Sequence, residues 1–220
     1  MAARTNKEVF RLFPSRHPAL LLETVMDIRP VPTHAPDRTL ALPEEECLRR
    51  TTEFLTGPMP AALRTVEYDQ AEWNDVTDAT SLEAVARAEV AIRHRPGSSD
   101  AQYRIRAFGD ELEMRLQLNV WRFVIVYTIP ARELVDVTGV APRFERWERG
   151  AAHAGWTIGW RDAVDPWQHD RQLVETYCYA MLPRDFLVDP MAQLYWRTDI
   201  MQMTRGFLLE AKRGGVRLKG

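Results

Sequence analysis

Residues 101–118, AQYRIRAFGDELEMRLQL, constrain the fold of this chain more than any other stretch. Apolar and charged residues alternate on both sides of a Gly-Asp pair, as in two antiparallel strands with one face in a core and one in water. Gly109 and Asp110 read as a two-residue type II′ loop with glycine first. That loop pairs Ala107 with Leu112, Ile105 with Met114 and Tyr103 with Leu116 on the apolar face, and sets Arg106 opposite Glu113 on the polar one.

The next segment, VWRFVIVYTIP, is apolar on both faces at its centre, as expected of a covered strand, with Asn119 as the break before it. ARAEVAIRHRP, ahead of the hairpin, alternates as a further strand, although its alanines and glutamates equally suit a helix from Ser81. LVETYCYAML fits either a strand or an amphipathic helix. A short echo between residues 126–136 and 178–189, each an apolar run followed by proline, arginine and Leu-Val-Asp, favours strand there.

Helices flank this sheet in the sequence. In LPEEECLRRTTEFLTG, Pro43 suits a first turn, three glutamates sit at the positive end of the helix dipole, and Gly57 is a stop. PRFERWERGAAHAG reads as a second, proline-started helix. Residues 58–80 show no clean period and read as loop with a short element, and residues 19–28 (ALLLETVMDI) are open between strand and helix. Pro30, Pro32 and Pro36 forbid regular helix and mark an extended connector.

The chain ends in a helix, DPMAQLYWRTDIMQMTRGFLLEAKRGG, whose apolar residues fall on two stripes. At 100° per residue, Trp196, Ile200, Met203 and Phe207 form a core-facing seam. Leu194, Met201 and Leu208 form a second stripe that meets either a second layer of the same domain or, as its short heptad spacing favours, a partner chain or a second copy. The expected architecture is therefore α+β: an antiparallel sheet in the second half, helices packed on its faces, and a long C-terminal helix. Residues 1–42 read as an extended segment with the Pro-rich connector, 43–213 as a single α+β domain, and 214–220 as a basic flexible tail.

Composition narrows the function classes. The 220 residues carry a formal charge of -2, which argues against a surface that coats nucleic acid throughout and leaves room only for a local basic patch. Two cysteines without CxxC spacing argue against a disulfide framework or zinc module and fit the cytoplasm. The apolar runs fall short of the ~18 residues of a membrane span. No cofactor, metal or membrane is expected.

The densest cluster of reactive side-chain types is residues 159–171, GWRDAVDPWQHDR. Asp162, Asp165, His169 and Asp170 offer an acid and base pair or ligand atoms, and Trp156, Trp160 and Trp167 could wall a pocket. The alternative is a solvated loop with its tryptophans plugging a sheet edge. Arg104 and Arg106 on the sheet, with Lys212, Arg213, Arg217 and Lys219 near the end, are the candidate contacts to nucleic acid or anions. The leading expectation is a non-catalytic structural or adaptor component of a cytoplasmic homo- or hetero-oligomeric assembly. The alternatives are an enzyme or small-ligand binder built on residues 156–170, or a nucleic-acid-binding component.

Overall fold

The protein is an α+β fold built on antiparallel strands. The computed structural model describes residues 42–74, 84–118, 122–130, 136–164, 172–183, 185–216 and 218. Strands β1 (Glu67–Asp69) and β2 (Val85–Arg87) form a small separate ladder. The main sheet contains β3 (Glu89–His94), β4 (Asp100–Ala107), β5 (Asp110–Leu118), β6 (Arg122–Pro130), β7 (Thr157–Val164) and β8 (Gln172–Met181). Its order is β3-β4-β5-β6-β8-β7, and every neighbouring pair is antiparallel. ARAEVAIRHRP thus contributes strands, and LVETYCYAML lies within β8.

The alternation read from the sequence sorts the two faces of the sheet. Tyr103, Ile105, Leu112, Met114 and Leu116 are buried beneath the helices, while Arg104, Arg106, Glu113 and Arg115 are exposed on the opposite face. The turn differs from expectation: Ala107 pairs with Asp110, so the loop is Phe108-Gly109, with φ of 46° and 85°. Positive φ at both central residues defines a type I′ turn, whose twist matches that of the strands. Ile105 therefore faces Leu112, Tyr103 faces Met114, Arg106 faces Glu111 and Arg104 faces Glu113. The shift amounts to two positions in the partner strand, so inward residues stay inward. Phe108 occupies a backbone region costly for a side chain, and its ring packs 5.7 Å from that of Trp73, which offsets the strain.

The first helices are α1 (Glu44–Thr56), α2 (Pro58–Arg64) and α3 (Gln70–Asn74). Pro43 stands at the residue just before α1, three glutamates fill its first turn, and Gly57 ends it. Residues 58–74 are thus more regular than expected, because elements of seven, three and five residues are too short to display a period. Met59, Leu63, Tyr68 and Trp73 anchor them in the core. After β6 come α4 (Val137–Val140), a 3₁₀ turn (Ala141–Phe144) and α5 (Glu145–His153), and the chain closes with α6 (Pro190–Arg213).

Helix α6 touches α2, α3 and α5 as it crosses the sheet. Phe207 lies between the rings of Tyr127 and Phe144, stacked at 4.5 and 4.7 Å, with Trp147 edge-on at 5.0 Å. Tyr127 and Thr204 share a buried hydroxyl hydrogen bond of 2.9 Å, and Trp147 Nε1 donates to the Met203 carbonyl at 3.0 Å. These bonds satisfy polar groups that would otherwise be costly in so apolar a layer.

The chain beyond α6 does not fray at once. Gly215, with φ of 67°, turns it back, and the amides of Gly215 and Val216 donate to Lys212 and Ala211 at 3.0 and 2.8 Å. This is a Schellman ending, and Val216 and Leu218 are buried where the sequence suggested a flexible tail. Among the described residues, no helix is long and apolar enough to cross a membrane.

Candidate functional site

The described part of the candidate cluster, on and beside β7, holds structure together. Asp162 Oδ1 accepts a hydrogen bond from the Val137 amide at 2.9 Å, tying the start of α4 to the sheet. Trp160 Nε1 donates to Glu148 on α5, and Trp156 Nε1 donates to Asp199 on α6; both rings are buried. These two tryptophans seal the sheet against its helices. Asp165, Trp167, His169 and Asp170 lie outside the described residues, so the proposed convergence of His169 with an aspartate does too. Among the described residues, no group of three or more His, Cys, Asp or Glu side chains is placed to hold a metal ion.

The basic candidates are engaged with carboxylates. Arg104 and Arg106 both reach Glu111, at 3.2 and 3.0 Å, and Arg104 also lies 3.8 Å from Glu113. Lys212 Nζ is 2.6 Å from Asp110 and sits over the Trp73 ring, while Arg213 is 3.6 Å from Glu210. Hence these four cations form mixed-charge networks and not a uniform positive field. Arg217 and Lys219 lie outside the described residues.

A groove of about 370 Å³ runs between α5 and α6. Trp147, Met203 and Leu209 line it together with Arg146, Arg205 and Asp199. Arg205 pairs with Glu72, which also lines the groove. Burial pushes the Asp199 carboxyl above its ordinary value, opposed by the Trp156 N–H that favours the charged form. No sequence motif marked this groove, because its walls come from residues some fifty positions apart.

The second stripe of α6 has two fates. Leu208 is 0% exposed, sealed within the protein's own core, and so is not available to a partner. Met201 is partly buried against the same core. Leu194, by contrast, is 45% exposed and belongs to an apolar strip with Val188 at 45%, Met191 at 68% and Tyr195 at 59%. Met191, Leu194 and Tyr195 follow i, i+3, i+4 spacing, so they share one helix face.

Local chemistry fixes this strip. Asp189 Oδ1 accepts from the Met191 amide at 2.9 Å, and Pro190 supplies a preset first helical residue. Upstream, Phe186 packs edge-on to Phe54 and Phe123 at 5.1 and 5.0 Å, pinning the turn that carries Val188. Trp196 faces inward onto Phe123 and Trp156. No residue of 190–199 is buried, whereas Ile200, Met203, Thr204 and the residues from Phe207 to Leu209 all are. The first turns of the helix therefore lie at the edge of the core, with Ala192 and Trp196 packed on it and the opposite face open. The Met191 and Tyr195 contribution was readable from the same i, i+3, i+4 pattern, but the core-facing seam through Trp196 dominated it.

The fold and this surface define an α+β protein with a long, partly uncovered closing helix. Searches against protein-family models, curated proteins and solved structures find no match to the chain.

Proposed function

We propose that the protein is a structural or adaptor component of a cytoplasmic protein assembly, docking through the strip formed by Val188, Met191, Leu194 and Tyr195. The observation that carries this reading is the exposure of three large apolar side chains, Met191, Leu194 and Tyr195, on one face of a capped helix start, with exposed Val188 two residues ahead of it, where water contact is unfavourable. Aromatic and methionine side chains suit such contacts because they bring large area and adaptable packing. Both cysteines are buried free thiols, in keeping with a reducing compartment.

A photo-crosslinking residue in place of Tyr195 tests this in the protein's own cells. The reading expects a discrete adduct with another protein chain that is absent when the same group replaces exposed Glu53 on α1. Equal adduct patterns from both positions contradict it. A second reading, binding of a small ligand, is favoured by the groove between α5 and α6, where Arg146 and Asp199 border the apolar surface of Trp147 and Leu209. Under that reading, bound ligand leaves with the wild type on native purification but not with Trp147→Ala.

A further inference from the structure

The chain itself contains an apolar segment of a size to occupy the strip. The described part begins at Leu42, whose carbonyl receives the Cys47 thiol across the start of α1. On the next turn of α1, Arg50 Nη1 donates to the Leu187 carbonyl at 3.2 Å, one residue before Val188. From Glu44 to Arg50 the helix rises only ~9 Å. The 41 preceding residues therefore join the domain within about two helical turns of the strip.

Those residues include ALLLETVMDI, residues 19–28, with Leu20, Leu21, Leu22, Val25, Met26 and Ile28. The connector of residues 29–41 reaches up to ~45 Å when extended, far more than the gap requires. The strip is only ~10 Å long from Val188 to Tyr195, so ten residues cover it in either strand or helix conformation. The other stretches outside the described residues suit this poorly: residues 75–83 carry three acids, and 165–171 mix aspartates, histidine and arginine around one tryptophan.

Taking the strip as a docking surface, on which this step rests, we propose that residues 19–28 of the same chain cover Val188, Met191, Leu194 and Tyr195 in the isolated protein. Docking of a partner and docking of this N-terminal segment are then mutually exclusive, so the two compete for the surface. The occupant is held at high local concentration by the short connector, which lets a modest apolar contact compete with an outside partner.

The test uses the full-length chain with Met191→Cys, labelled by a small maleimide; the native thiols of Cys47 and Cys178 are buried and set a slow background. Adding Leu21→Glu and Leu22→Glu should speed labelling at position 191 at least tenfold, at a rate independent of protein concentration. The same pair should leave labelling of Val85→Cys, an exposed reference on β2, unchanged. Equal rates with and without the glutamates would overturn the proposal by showing an open strip. Protection that grows with protein concentration would overturn it in favour of a second copy. Both results leave the assembly reading standing, whereas intact protection combined with no crosslinked partner at Tyr195 counts against that reading alone.

Discussion

Leu208 and Leu194 project from nearly the same side of α6, about four turns apart, yet the structure gives them opposite environments. Leu208→Ala removes most of an isobutyl group from a fully enclosed site. Such deletions cost about 2–5 kcal/mol, because lost transfer energy is joined by a residual cavity. With ~3 kcal/mol lost and a urea m-value of ~2 kcal/mol per M, the unfolding midpoint should fall by ~1.5 M. Leu194, 45% exposed, leaves no sealed cavity, and Leu194→Ala should cost under ~1 kcal/mol, a midpoint shift below ~0.5 M. The buried tryptophans Trp147, Trp156 and Trp160 report unfolding by fluorescence in urea. A Leu208→Ala midpoint close to wild type, or a Leu194→Ala loss as large as that of Leu208→Ala, would refute the division of α6 into a core half and a free half.

Two further expectations concern charge. Burial, partly opposed by the Trp156 N–H, raises the Asp199 pKa, so the folded state holds its proton more tightly than the unfolded chain. This group's contribution is most favourable at low pH and declines as pH rises through the folded pKa. Asp199→Asn should therefore unfold at higher urea than wild type near neutrality, with the difference shrinking on acidification; a difference that grows in acid contradicts the assignment. Glu111 is an enclosed carboxylate reached by two half-exposed arginines at 3.2 and 3.0 Å. Glu111→Gln should cost ~1 kcal/mol at low ionic strength and less in high salt, since the arginines regain water. A loss unaffected by salt would assign the role of Glu111 to packing.

The sequence and the structure agree where a signal is local and repeated. Pro43, the glutamates and Gly57 delimit α1 because each acts on its own backbone neighbours. The faces of the β4–β5 hairpin follow from alternation alone and survive a two-position shift in register. The turn itself was not legible: Phe108 adopts positive φ against its intrinsic preference and packs on Trp73, which is 35 positions away. Residues 58–74 hid three elements because none is long enough to complete a pattern.

The candidate surface was only partly legible for a related reason. Periodicity gives the direction of a side chain, so Leu194, Met201 and Leu208 appeared equivalent. What covers each depends on the neighbours of α6 along its length, and α2, α3 and α5 close over it without covering its first turns. Asp162, chosen for its chemistry, spends its carboxylate on the Val137 amide, a role set by the approach of β7 to α4.

The most direct test of the account is the mass of the native assembly purified from the protein's own cells, by light scattering, for wild type and for Met191→Glu with Leu194→Glu. Both substituted side chains are exposed, so the urea midpoint of the variant should stay within ~0.5 M of wild type. The account predicts a wild-type mass above that of a single 25.4 kDa chain and a variant reduced to the single chain. A variant that keeps the wild-type assembly mass with its fold intact would contradict the claim that α6 begins as a docking surface.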